Sequence, residues 1–143
     1  MTIRNILCAI TALSFLTVPA VADEMWSTEI GVVLYEVDLP NGDAVWSYPL
    51  ENTEWRGTAV LVDFAGSYND RTTYTGYWIE PASADGVSGC SAEMRDPFAE
   101  GTSDVWGRLI VSFIEPGTWV ALRGDCFDEP EAMLVGTPYI PEE

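Results

Sequence analysis

Histidine and lysine are both missing from the 143 residues of this sequence. Histidine titrates near neutral pH and is the commonest metal ligand, and lysine supplies the Schiff-base amine. Their absence excludes Ser–His and Ser–Lys nucleophile pairs, Schiff-base chemistry and His-ligated metals. Basic charge is scarce altogether: six arginines stand against 23 acidic residues, for a formal charge of −17. Nucleic acid and anionic membrane surfaces attract basic patches, so a charge this negative argues against both as partners. There is no CxxC spacing, no glycine-rich phosphate loop, no EF-hand loop and no sustained helical periodicity. Cysteine is sparse too, with three in the whole chain.

Met1 to Ala22 reads as a secretory signal peptide. Arg4 supplies the positive start, Ile6 to Val18 the short apolar core, and Ala20-Val21-Ala22 a small-x-small cleavage site. The apolar run is shorter than the ~20 residues a spanning helix needs, and no later segment is apolar enough to span a bilayer. Cleavage before Asp23 would remove Cys8 and Arg4, leaving 121 residues of formal charge −18 as a single β domain over 23–143. The expected location is periplasmic or secreted.

Two cysteines would then remain, Cys90 and Cys126, and an even pair in an exported chain reads as a disulfide. Closing that loop stabilises the fold by roughly 3.5–4 kcal/mol on chain entropy alone.

The longest strand-like run is Trp106 to Cys126, two strands meeting at Pro116-Gly117. A two-residue turn there sets Phe113 opposite Val120, Val111 opposite Leu122 and Leu109 opposite Gly124. One face would then carry Leu109, Val111, Phe113, Val120 and Leu122. The other would set Ile114 beside Trp119 and Arg108 across from Asp125, while Cys126 would face Gly107, whose missing side chain would leave room for the disulfide. Pro-Gly suits a type II turn better than the primed turns of tight hairpins, and a shift of one residue would flip one strand's faces.

Upstream, Asp23 to Glu29 reads as a lead-in, and Ile30 to Leu39 and Ala44 to Leu50 as a hairpin around Asn41-Gly42. A two-residue turn pairs Leu39 with Ala44, Val37 with Trp46, Tyr35 with Tyr48 and Val33 with Leu50, which makes one face wholly apolar. A three-residue turn led by Pro40 with a left-handed Gly42 would satisfy the backbone better but spoil that face, so the two-residue register is expected. Thr58 to Phe64, Thr73 to Glu80 and Ala132 to Ile140 are further strands. Pro81 to Asp104 is irregular, with a helical turn near Ala92 to Phe98. The expected fold is all-β, a small antiparallel meander barrel or two-layer sandwich of about seven strands.

Carboxylates, hydroxyls and aromatics are what remains for function. A carboxylate pair can hydrolyse a glycosidic bond, but no pair here has a diagnostic spacing, and 23 acids on a small surface make close pairs by accident. Asp125, Asp128, Glu129 and Glu131 form a weak calcium candidate, with a solvated acidic turn as the simpler reading. No catalytic residue and no cofactor are expected. Trp55, Trp78 and Trp119 are candidates for a ligand-binding aromatic face or barrel mouth, against the plainer expectation that tryptophans fill the core. In size, charge and compartment the chain resembles periplasmic inhibitors of cationic lysozymes, though no inhibitory loop is present and no residue role carries over. The leading expectation is therefore a non-enzymatic exported protein that binds a basic partner. The alternative is a small-ligand or glycan binder, with a carboxylate glycosidase third. The acidity is equally expected of a secreted surface adapted to a salty medium.

Overall fold

A computed structural model describes residues 24–82 and 89–142. The expected signal peptide lies outside the described residues. Ten strands form in chain order: β1 Met25–Thr28, β2 Gly31–Asp38, β3 Ala44–Pro49, β4 Arg56–Leu61, β5 Thr73–Ile79, β6 Met94–Asp96, β7 Gly101–Ser103, β8 Trp106–Glu115, β9 Thr118–Arg123 and β10 Ala132–Pro138. Eight of them close an antiparallel barrel in the order β1-β10-β9-β8-β5-β4-β3-β2, and β6 and β7 make a separate hairpin. No helix occurs among the described residues, so none there is long and apolar enough to cross a membrane.

The barrel, rather than a sandwich, follows from the segment expected to be a lead-in. Asp23 to Glu29 contains β1, which pairs with β2 on one side and β10 on the other. Its Trp26 is 2% exposed. Closure leaves no open edge on the sheet.

Both expected hairpin registers are corrected: each ladder carries one bulged residue, and at Asn41-Gly42 the turn itself also differs. At Pro116-Gly117 the two-residue turn forms as expected, with Glu115 opposite Thr118 and Gly117 at φ 81°. A bulge at Ile114 follows, so Phe113 pairs with Trp119, Val111 with Ala121 and Leu109 with Arg123. Type II geometry twists against the strands, and a bulge absorbs the mismatch. Val120 and Leu122 therefore face outward, and Trp119 and Ala121 face the core. Arg108 reaches the Phe127 carbonyl rather than Asp125. Cys126 does bridge Gly107, but a β-carbon there would strike the Gly124 carbonyl and the Trp78 indole, so the space serves the barrel and not the disulfide.

At Asn41-Gly42 the three-residue turn wins. Leu39 N–H donates to Asp43 O at 2.7 Å, Pro40 leads, and Gly42 sits at φ 94°. Glu36 then bulges out and returns Tyr35 to the interior opposite Trp46, whereas Val37, expected inside, pairs with the outward Val45 and is 40% exposed. The better-bonded turn costs the burial of Val37, and the shift at Glu36 recovers that of Tyr35.

The interior is largely aromatic. Trp26 and Trp46 stand 4.5 Å apart between ring centroids, and Trp119 lies 5.4 Å from Trp46. The strand expected over Thr58 to Phe64 ends at Leu61, and Phe64 lies inside beyond it, whereas Val60 faces outward. Val60 is buried all the same, as are the outward Val45 and Ile79. Ahead of β8, the described residues from Gly89 onward fold back over this wall: Thr58 Oγ1 donates to Asp96 Oδ2 at 3.0 Å, and the Trp106 indole donates to Ala92 O at 2.8 Å. The helical turn expected at Ala92 to Phe98 is instead strand β6 and its approach. Cys90 and Cys126 are disulfide-bonded with their Cα atoms 5.6 Å apart, tying this segment to the end of β9.

Candidate functional site

The meander sorts the loops between two barrel ends, and an arginine lies inside each. At one end Arg71, from the β4–β5 loop, lies with its guanidinium 5.0 Å from the Phe64 ring centroid and 5.1 Å from that of Phe113. It grips both carboxylate oxygens of Glu24, at 2.8 and 2.9 Å, and donates to Ser67 O. Its side chain is 9% exposed, which makes it a plug. Beside it the Tyr35 hydroxyl donates to Asp38, and burial first, then that bond, pushes its pKa well above the usual tyrosine range.

The opposite end is more open. Arg123 closes β9 on the inward face, with its guanidinium 3.5 Å from the Trp78 ring centroid and 2.7 Å from Glu80 Oε1. Glu80 also accepts from the Tyr48 hydroxyl at 3.0 Å, and the Trp78 indole donates to Gly124 O at 2.8 Å. Burial, reinforced by the Glu80 charge, raises the Tyr48 pKa well above its ordinary value. Behind Arg123 lies a cavity of about 60 Å³ whose walls include Val33, Trp46, Ala59, Trp119 and Ala121.

Outside that plug the β9–β10 loop forms an open groove of about 550 Å³ lined by Arg123, Asp125, Asp128, Glu129 and Glu131. The expected acidic cluster therefore gathers around one groove. Among the described residues, however, no three carboxylates converge as a metal would require. Phe127 projects from the same loop at 66% exposure, its edge against Trp106. The β3–β4 loop reaches the same end with Glu51, Glu54 and Trp55, and the β1–β2 turn with Glu29 and Ile30.

The three candidate tryptophans separate. Trp55 is exposed at 70%, whereas Trp78 and Trp119 are buried at 4% and 2% and belong to the interior. The expected aromatic face is thus reduced to Trp55. The residues missed from the sequence are Arg123, Glu80, Tyr48 and Arg71. Inward alternation along β9 would have flagged Arg123 once Trp119 was placed inside; nothing local marks Arg71, which plugs the barrel from a loop.

No known protein family, no curated protein and no solved structure matches this chain.

Proposed function

We propose that the protein is an exported, non-enzymatic binding protein that docks a basic protein on the Arg123 end of its barrel. The observation that carries this is the groove of Asp125, Asp128, Glu129 and Glu131 beside the exposed Phe127. Carboxylates steer a cationic partner and an exposed aromatic ring anchors it. The arginines sharpen the charge asymmetry. Arg71 and Arg123 are spent plugging the barrel, and Arg56 is bound on its outside to Ser47 and the Val32 carbonyl. Few cations are left to offset the acids at the surface.

The test is capture of basic proteins, such as a cationic lysozyme or cytochrome c, by the immobilised protein at low and high salt. Capture at low salt that vanishes at high salt, and that weakens when Asp125, Asp128, Glu129 and Glu131 become amides, supports the reading. Absence of capture at low salt, or capture indifferent to the four amides, overturns it. The small-ligand reading rests on a separate observation, the interior cavity.

A further inference from the structure

The outside of the barrel has two apolar walls, and the chain covers one of them. Outward Val60 and Thr58 on β4 are buried where the residues carrying β6 fold back and Asp96 accepts from Thr58. On β8, β9 and β10 the outward side is open. Ladder pairing sets Ile110, Leu122 and Met133 in one row across it, and Ser112, Val120 and Val135 in the next. Met133 is 63% exposed and Val135 42%. Between Arg108 and Glu115 on β8, and across the outward positions of β9 and β10, no side chain is charged, in a chain with 23 acidic residues. Single apolar side chains on a surface are ordinary, whereas a contiguous uncharged patch marks a contact.

We propose that this face is the contact between two copies of the chain, related by a two-fold axis that crosses β8 at the Val111–Ala121 rung. Charge fixes the axis. Arg108 stands three rungs from Val111–Ala121 in one direction and Glu115 three rungs in the other, both exposed on the outward side. A two-fold lying in the contact plane and running across the strands stacks β8 on β8 antiparallel, to within the roughly 30° at which packed sheets cross. Arg108 of each copy then meets Glu115 of the other. An axis along β8 would instead set Arg108 on Arg108 and Glu115 on Glu115. The cross-strand axis also lays the Ile110 row of one copy on the Ser112 row of the other, so Leu122 meets Val120 and Met133 meets Val135. It carries the acidic β9–β10 loops of the two copies to opposite ends, where their repulsion is least. The occupant is a second copy because the apolar rows and the charged ends complement themselves. From Arg108 to Glu115 the face is seven rungs long and three strands wide. That is about 14 by 23 Å, a flat footprint of roughly 300 Å². Standard interfaces bury about 800 Å² per partner, so the dimer is weak, with a Kd of roughly 100 µM or more. The contact uses none of the residues lining the acidic groove.

Sedimentation equilibrium from about 10 µM to about 1 mM protein brackets the expected Kd. The expected result is a monomer–dimer equilibrium that tightens as salt rises, because salt screens the repulsion between two acidic bodies. Capture of a basic protein has the opposite salt dependence, so the two readings fail separately. Met133→Glu, at a largely exposed site that spares folding, should weaken association at least about tenfold. Arg108→Glu and Glu115→Arg should each weaken self-association roughly three- to tenfold. Mixed together, these two variants should associate at least as tightly as the unaltered chain, since each Arg–Glu end pair re-forms between unlike copies. The double exchange Arg108→Glu with Glu115→Arg should restore self-association at unchanged net charge. Three results would overturn the proposal: a monomer throughout the concentration range, a dimer indifferent to Met133→Glu, or charge variants that associate no better mixed than alone.

Discussion

Trp119 lies directly across the β9–β10 ladder from Gly136, and a β-carbon on Gly136 would stand 2.2 Å from the Trp119 ring. The same pairing recurs at Tyr48 opposite Gly57 and at Trp78 opposite Gly107. In each pair the ring covers the glycine on the inward face, so these three glycines are what admit so many rings into one small barrel.

Gly136→Ala should therefore destabilise the fold by about 2–3 kcal/mol, because Trp119 is held by Trp26 and Trp46 and cannot give way. Gly101→Ala, where nothing lies within 4 Å of the added carbon, should change stability by less than about 0.5 kcal/mol. Denaturant midpoints of the two variants check the contrast, and equal losses would refute it.

Replacing Arg123 with Leu removes the cation over Trp78 and strands Glu80 beside the Tyr48 hydroxyl. The Arg123 side chain is 35% exposed, so water screens part of the effect, and a loss of about 1–2 kcal/mol is expected. A matched Tyr48→Phe double-mutant cycle reads the coupling through Glu80.

Reduction of Cys90–Cys126 opens a loop whose ends are 36 positions apart, and the chain-entropy relation gives a loss of about 4 kcal/mol. The excursion after β5 is the segment it tethers, so the first structure lost should be the cover over Val60 and Thr58. Amide exchange on β4 with and without reductant measures this. Uniform loss of protection around the barrel would contradict it.

Tyr35, Tyr48 and Tyr77 all have pKa values raised, in each case by burial first. A raised folded-state value means that the stabilising contribution is complete below the unfolded tyrosine pKa, about 10, and is lost as pH climbs from there through the folded values. Alkaline titration should show tyrosinate absorbance from these three rising together with loss of the barrel. Smooth ionisation of all tyrosines near pH ~10 in a still-folded protein would contradict it.

The pair Cys90–Cys126, the all-β class and the Pro116-Gly117 turn were legible because each depends on composition or on a few adjacent residues. Registers were not. Ile114 and Glu36 each add one residue to a strand, and no local signal distinguishes a bulge from a regular ladder when both faces carry apolar side chains. The regular register put Val120 and Leu122 inside and Trp119 on the opposite face, and only the shifted pairing reversed them.

By itself, then, the sequence determined which side chains exist to be buried, that the chain is strongly acidic, and that its strands run in short antiparallel neighbours. Tertiary structure decided which of two faces is inside, that β1 closes the sheet, and that Arg71 and Arg123 plug its ends while the acids of the β9–β10 loop gather outside. The reason is that periodicity of two is a local property of the backbone, whereas register, closure and the meeting of Arg123 with Glu80 depend on contacts between residues tens of positions apart.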